Sequence, residues 1–452
     1  MGFWDIADSE REAVVLDNQS YTYEQFNKSI SECQKVLESD KKQLVLILCE
    51  NSYGVLVTYV AALRSNHAVM LLSSDLNNEL LNNVIDTYQP AWVYGSLNST
   101  DYEKTDQFLW KRKFFMDVNI HSELAILLST SGTTGSRKFA RLSYRNIQSN
   151  AEAIGEYLQM TSDERGIVNL PISYSYGMSI VNSHLATGAT LLLTDNTVME
   201  KSFWEFLNKK KATSFAGVPF TYQMLYRVGF LKMELPHLRM FTQAGGRLNE
   251  KFARLFGEYA ANHNKHFYIM YGQTEASPRM SYIPPSQLLK KTDSIGIPIP
   301  GGSFEIDSET DELIYKGTNV MMGYAESLAD LAKGDGLQGV LHTGDTARVD
   351  EDGFYSITGR MKRFLKLFGL RINLDEVEKR LESSIQSTVA CTGNDDRLIV
   401  VIESENVKQA VHDCLDSIYK LHKSAFRIHI LESIPRLSNG KTDYKAIKEE
   451  LI

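Results

Sequence analysis

Cysteine is sparse and unpatterned. Cys33, Cys49, Cys391 and Cys414 form no C-x-x-C pair and no metal-ligand spacing, which argues against a disulfide-framed secreted scaffold and fits reduced, mostly buried thiols. Long apolar runs are also missing. The longest, such as Leu44–Leu48, fall far short of the roughly 20 residues that a spanning helix needs, so no membrane insertion is expected. The amino-terminal MGFWDIADSE has neither a positive n-region nor an apolar h-region, and Ile6 stands where a myristoylation signal requires Ser or Thr; the expectation is a cytoplasmic protein. Excess positive charge is absent as well. A formal net charge of −8 disfavours nucleic acid and anionic membrane as general partners, while leaving room for a local phosphate site. No internal repeat or low-complexity tract is apparent.

What the chain does have is the composition of a packed globular protein, 43% hydrophobic and 23% charged over 452 residues, long enough for two or three domains. Short continuous apolar runs alternate with helical patterns: LVLILCENS before YGVLVTYVAALRS, HAVMLLSS before LNNELLNNVIDTY, ATLLLTD before MEKSFWEFLNKKK. Strand then helix, repeated, predicts an α/β fold of largely parallel sheets covered by helices. Near Arg360 the character changes to a basic, glycine-punctuated segment, then a short amphipathic helix at Asp375–Leu381, the run LIVVIES, a helix from Val407 to about Leu421, and FRIHILES. These predict a large domain over residues 1–360 and a small α+β domain over residues 361–452.

The strand-like Ile126–Leu128 leads into STSGTTGSRK, ten positions crowded with hydroxyls, two glycines and two cations. Glycine reaches conformations that a Cβ forbids, so such a loop can turn its N–H groups inward around phosphate oxygens. Thr130, Ser131, Thr133 and Thr134 add hydroxyl donors beside Gly132 and Gly135, and Arg137 and Lys138 add charge. The pattern is not that of P-loop NTPases, because no Lys-Ser or Lys-Thr follows the second glycine of that spacing. Taken alone, the segment could equally be a flexible surface hairpin.

The loop resembles the glycine-rich phosphate loop of the adenylate-forming superfamily, which includes acyl-CoA synthetases, aryl-acid ligases and carrier-protein adenylation domains. Further matches follow in the family's order: AGGRL at Ala244–Leu248, YGQTEAS at Tyr271–Ser277, SIGIPIPG at Ser294–Gly301 and ELIYKGTNVMMGY at Glu312–Tyr324. They continue with HTGDTARVDEDGFYSITGR at His342–Arg360, KLFGLRINLDEVE at Lys366–Glu378 and PRLSNGKTD at Pro435–Asp443.

The resemblance implies two steps: a carboxylate attacks the α-phosphorus of ATP, giving acyl-AMP and pyrophosphate, and a thiol then attacks the activated carbonyl. It assigns the Thr130–Lys138 loop to the β- and γ-phosphates, Gly245, Gly246 and Arg247 to the adenine slot, and Tyr271 and Gly272 to the adenine face. Thr274 would touch the α-phosphate and Glu275 would hold Mg²⁺. Asp345, with two acceptor oxygens suited to a vicinal diol, would bind the ribose, and Arg360 would reach the same sugar. Lys441 would bridge the α-phosphate and the attacking carboxylate as a compact point charge. By the same resemblance Lys362 sits at a hinge, and Gly369 lines a tunnel for the pantetheine arm. Each motif alone has a plain alternative: Y-G-x-T-E is also a turn capped by Thr, and a Lys beside Asn-Gly is usually an exposed turn residue.

The chain departs from the family pattern in several places. Arg137-Lys138-Phe139 replaces Pro-Lys-Gly, Tyr144 replaces the histidine of Ser-His-Arg-Asn, and Tyr174 replaces the histidine that gates the acyl pocket. Amino-acid-activating members carry an Asp in that pocket segment; Pro171–Met178 has none, so a plain carboxylic acid is expected, with Tyr174 and Tyr176 lining its pocket. The expected activity is an ATP- and Mg²⁺-dependent carboxylic acid–thiol ligase producing an acyl-CoA thioester. Its alternative delivers the acyl group to a carrier-protein phosphopantetheine, and a non-enzymatic nucleotide-binding relic is more distant. Coenzyme A or an acyl carrier protein, and no nucleic acid, would be the partners beside ATP and the acid.

Overall fold

The computed structural model describes residues 2–451 except 107, 115–116, 130–137, 362, 368–369, 395–396, 420–424 and 438–439. The loop residues Thr130, Ser131, Gly132, Thr133, Thr134, Gly135 and Arg137, and the expected hinge and tunnel residues Lys362 and Gly369, therefore lie outside the described residues.

Two helix-covered sheets form the bulk of the chain up to Arg360. In the first, of nine strands, Glu12–Val15, Thr190–Leu193, Arg165–Val168, Ser214–Gly217, Met240–Gln243 and His266–Gly272 run parallel in that spatial order. Antiparallel strands close it at both edges, Ser20–Thr22 on one side and Arg279–Tyr282 with Ile297–Pro298 on the other. The second, of eight strands, has a parallel centre of Leu124–Ser129, Ala68–Ser73, Leu44–Cys49 and Trp92–Tyr94 with antiparallel flanks. The continuous apolar runs are buried on both faces: every residue of Leu44–Cys49 is buried, the behaviour expected of strands sandwiched between helices. A third sheet, fully antiparallel, comprises Gly302–Ile306, Glu312–Gly317, Val340–Val349 and Tyr355–Arg360; periodicity in the sequence does not announce it, because its faces are only partly buried.

Helix starts follow local chemistry. Thr22 and Gln25 form a reciprocal capping box ahead of Tyr23–Leu37, and Ser143 and Asn146 do the same ahead of Tyr144–Tyr157. Two departures from the family pattern flank this second cap. Ser143 and Asn146 serve the helix end, and the Tyr144 hydroxyl donates to the carbonyls of Leu63 and His67 at 3.2 and 2.9 Å, a packing role. Phe139, where glycine was usual, is buried edge-on against Tyr88 with ring centroids 5.2 Å apart. Between sheet and helices, Phe215, Tyr222, Phe230, Phe241, Phe256 and Phe267 pack as one aromatic cluster.

Beyond Arg360, among the described residues, the strands pair only among themselves: the hairpin Phe364–Leu367 and Leu370–Asn373, and a sheet of Val389–Asn394, Arg397–Ile402 and Phe426–Ile430. Their helices are Leu374–Ile385, Lys408–Tyr419 and Tyr444–Leu451, so the first runs four residues past the expected Leu381. The helix expected from Val407 begins as a single 3₁₀ turn at Glu405–Val407. This part carries its own apolar core around Val377, Leu398, Val400 and Leu415.

Polar contacts join it to the larger part. Lys379 pairs with Asp293, Arg247 with Glu382, and the Gln223 amide donates to Thr388 at 3.1 Å. The Arg436 guanidinium lies 4.8 Å from the Phe220 ring centre.

Candidate active site

Strands of a parallel sheet deliver their carboxyl ends to one side, where open α/β sheets place their ligand crevices. Met240–Gln243 ends there in Ala244, Gly245 and Gly246, and His266–Gly272 ends in Gln273, Thr274 and Glu275. Gly245 has φ +86°, and a Cβ on it would come within 2.4 Å of the Tyr174 hydroxyl. The Gly246 carbonyl accepts from the buried Gln243 amide at 2.8 Å. Rather than entering a long helix, Thr274–Ala276 forms one 3₁₀ turn, and the Thr274 hydroxyl stands 3.2 Å from that of Ser175.

Asp345 and Arg360 are direct partners in the Val340–Val349 and Tyr355–Arg360 ladder, with Arg360 Nε 3.4 Å from Asp345 Oδ1. The other carboxylate oxygen accepts from the Tyr271 hydroxyl at 2.5 Å and the Gln273 amide at 3.1 Å. Burial pushes the Asp345 carboxyl above its ordinary value, with Arg360, Tyr271 and Gln273 acting the other way. The result is a buried acceptor held by three donors and fixed in direction.

Glu275 accepts from the Tyr324 hydroxyl at 2.8 Å, and the Tyr324 ring carries the Lys138 ammonium 3.6 Å from its centre. Lys138, which ends the glycine-rich segment, is thus tied through one phenol to the glutamate. Tyr324 closes the ELIYKGTNVMMGY motif and was not singled out by sequence reasoning; its placement depends on the strand Gly323–Ala325 pairing with Phe139–Ser143, a contact between segments far apart in the chain.

Lys441 comes from the opposite side. Its turn is closed by Leu437 and Gly440 backbone bonds of 2.8 Å and braced by the Arg436–Thr442 bridge. Gly440 has φ +78°, and a Cβ there would lie 2.7 Å from Val218 Cγ2, so glycine lets the turn seat against the larger part. The Lys441 ammonium is 6.0 Å from the Tyr174 ring centre. Burial and then the charge of Arg360 pull its pKa below the ordinary lysine value, while Glu275 and Asp345 favour the charged form. Lys441, Arg360, Asp345, Glu275, Thr274 and Tyr174 therefore share one crevice.

Arg247, at the end of the same Ala244–Leu248 segment, also faces the small lobe. Its guanidinium reaches Asp293 at 3.7 Å and Glu382 at 3.5 Å, at the junction with the small lobe. Tyr176 is fully buried, its hydroxyl 2.8 Å from that of Thr242. Burial pushes the Tyr174 hydroxyl up to about 12, leaving it a neutral phenol.

A family model described as AMP-binding enzyme matches residues 5–325. The chain belongs to the AMP-binding enzyme family. Its relatives include the D-alanine–D-alanyl carrier protein ligases of Staphylococcus epidermidis, 24% identical over 97% of this chain and 96% of the relative, and of Lactococcus lactis, 25% identical over 99% and 98%. Among solved structures, ATP-bound MatB from Rhodopseudomonas palustris superposes with TM-score 0.80 at 22% identity, covering 99% of this chain and 97% of the other. o-Succinylbenzoate CoA synthetase (MenE) from Bacillus subtilis in complex with its acyl-adenylate does so with TM-score 0.78 at 19% identity, covering 97% and 95%. This AMP-binding enzyme thus has the adenylate-forming fold, a large domain of sheets and helices with a smaller carboxy-terminal one, and is an adenylate-forming ligase. Among its described residues no helix is long and apolar enough to cross a membrane.

Proposed function

We propose that this AMP-binding enzyme adenylates a carboxylic acid with ATP and passes the acyl group to the phosphopantetheine thiol of a carrier protein. The observation that carries the reading is the convergence of Lys441 with Asp345, Arg360, Glu275 and Thr274 in one crevice. The choice of acceptor is supported by the end-to-end match to carrier protein ligases, which moves the preference from coenzyme A to a carrier.

In this reading Asp345 accepts from the ribose hydroxyls while Arg360 holds its geometry, and Tyr271, Gly245 and Gly246 border the base. Lys441 lies between the α-phosphate and the incoming carboxylate. As a carboxylate oxygen bonds to the α-phosphorus, the bond to the bridging oxygen breaks and pyrophosphate leaves; the ammonium stabilises charge on the equatorial oxygens, the electrostatic contribution that dominates such chemistry. In the second step the thiol sulfur attacks the acyl carbonyl, the thiol proton is released, and AMP departs. The small lobe would move between the steps, with Lys362 as hinge and Gly369 in the thiol channel.

Among the described residues no group of three or more His, Cys, Asp or Glu side chains is placed to hold a metal unaided. Glu275 fits Mg²⁺, which commonly takes one or two carboxylates and completes its shell with phosphates and water. Bound there, the ion would neutralise phosphate charge.

The test is acid-dependent exchange of pyrophosphate into ATP across a carboxylate library, followed by transfer of the best acid to a holo-carrier protein and to free coenzyme A. Thioester on the carrier at far lower thiol concentration than on coenzyme A is expected. Preference for coenzyme A overturns the acceptor, and no exchange with any acid overturns the reading.

A further inference from the structure

Behind the Tyr174–Tyr176 segment lies a buried cation that the site described above does not use. Arg279, on the strand next to the Tyr271–Glu275 motif and paired in register with Gly272, is 3% exposed. Its backbone is clamped on both sides: the carbonyl accepts from the Asn150 and Asn319 amides at 2.9 and 3.0 Å. The guanidinium lies 4.5 Å from the Tyr176 ring centre, Nε donates to Ser179 Oγ at 3.1 Å, and Nη1 meets the Tyr157 hydroxyl at 3.0 Å and Met270 Sδ at 2.7 Å. Every one of these partners is neutral. Among the described residues no carboxylate pairs with Arg279, in contrast to Arg239 with Glu164 and Arg363 with Glu378, and Nη2 makes no hydrogen bond to a described residue. A buried charge without a counter-charge is costly, and a guanidinium carries a planar fork suited to two oxygen acceptors.

The helix Ser175–Ala186 supplies a ruler. Ser175 and Ser179 are four residues apart and so lie one above the other on one face, about 6 Å apart along the axis. Ser175 touches Thr274, where the reacting carboxyl belongs, and Ser179 touches Arg279.

We propose that Arg279 determines acid specificity: the substrate is a short carboxylic acid with an oxygen acceptor, best a second oxyanion, about one helical turn from its reacting carboxyl, and an ammonium at that place is rejected. This rests on the adenylation reading above and narrows its substrate class. It also separates this chain from relatives named for an amino acid, since neither Pro171–Met178 nor the surroundings of Arg279 offer an ammonium a carboxylate.

The experiment measures pyrophosphate exchange with four four-carbon acids that differ only at the far end: butanoate, 4-hydroxybutanoate, succinate and 4-aminobutanoate. Succinate is expected to exceed butanoate by about tenfold or more in kcat/KM, with 4-hydroxybutanoate between them and 4-aminobutanoate lowest. Arg279→Met should collapse that ranking to within about threefold while butanoate exchange is retained, and Arg279→Lys should keep the order with a smaller spread. A structural role alone would lower all four acids together. If the Met variant does not fold, the wild-type ranking decides together with the Lys variant. An unchanged ranking in the folded Met variant, preference for the ammonium acid, or exchange with other acids but none of these four overturns the proposal. Absence of exchange with every acid overturns the adenylation reading instead.

Discussion

Asp345 and Arg360 face each other across an antiparallel ladder, fifteen residues apart in sequence and 3.4 Å apart at Nε and Oδ1. The carboxylate is buried and the guanidinium largely exposed, so the pair presents an anchored acceptor to the crevice with a positive rim. Asp345→Ala removes an acceptor that takes charge-assisted hydrogen bonds, and roughly 1.5–3 kcal/mol per lost bond corresponds to a 10- to 100-fold rise in the KM for ATP. Initial rates of pyrophosphate exchange against ATP concentration check it; kcat should change much less.

Tyr324→Phe keeps the ring under Lys138 and deletes the hydroxyl bonded to Glu275. Thermal stability should hold, while half-saturation by Mg²⁺ rises roughly tenfold, the size of one hydrogen bond to a charged group at about 1.5 kcal/mol. Magnesium titration of exchange activity reads it. An unaltered Mg²⁺ dependence would separate Tyr324 from magnesium binding.

Glu382, at the lobe junction beside Arg247, is pushed up to about 7 by burial, with Arg247 opposing. A carboxyl whose folded pKa is raised contributes stability below its unfolded value, near ~4.3, that is lost as pH rises through the folded value. Wild type should therefore lose stability relative to Glu382→Gln between about pH 4.5 and 7. Urea unfolding of both proteins at pH 5 and pH 8 measures the gap; parallel behaviour would show that Glu382 titrates normally.

Phe241 is fully buried, stacked on Phe267 at 4.8 Å and on Phe215 at 5.9 Å. Phe241→Ala should cost about 3–5 kcal/mol through lost burial and the cavity left behind, read as a lowered urea midpoint with the slope unchanged.

The strand–helix alternation was legible because strands such as Leu44–Cys49 are buried on both faces and read as unbroken apolar runs. The segments carrying Asp345, Arg360, Thr274, Glu275 and Lys441 were legible as motifs, since each is written in a few adjacent residues: Thr274, Glu275 and Lys441 lie at turns, Arg360 ends a strand, and Asp345 lies within one. Tyr324 and Arg279 were not. Their surroundings are assembled by pairings between distant segments, Gly323–Ala325 on Phe139–Ser143 and Arg279 opposite Gly272, and an arginine in isolation reads as a solvated surface residue. For Arg247 the motif gives no sign of Asp293 and Glu382, which folding brings to its guanidinium.

In the proposed reaction Lys441 serves the first chemical step and not the second. Lys441→Ala, assayed in single turnovers, should lower acyl-adenylate formation by at least about 100-fold, as expected when a charge aligned with the transition state is removed, while thioester formation from supplied acyl-adenylate proceeds within about threefold of wild type. Normal pyrophosphate exchange in that variant, or equal loss in both half-reactions, would contradict it.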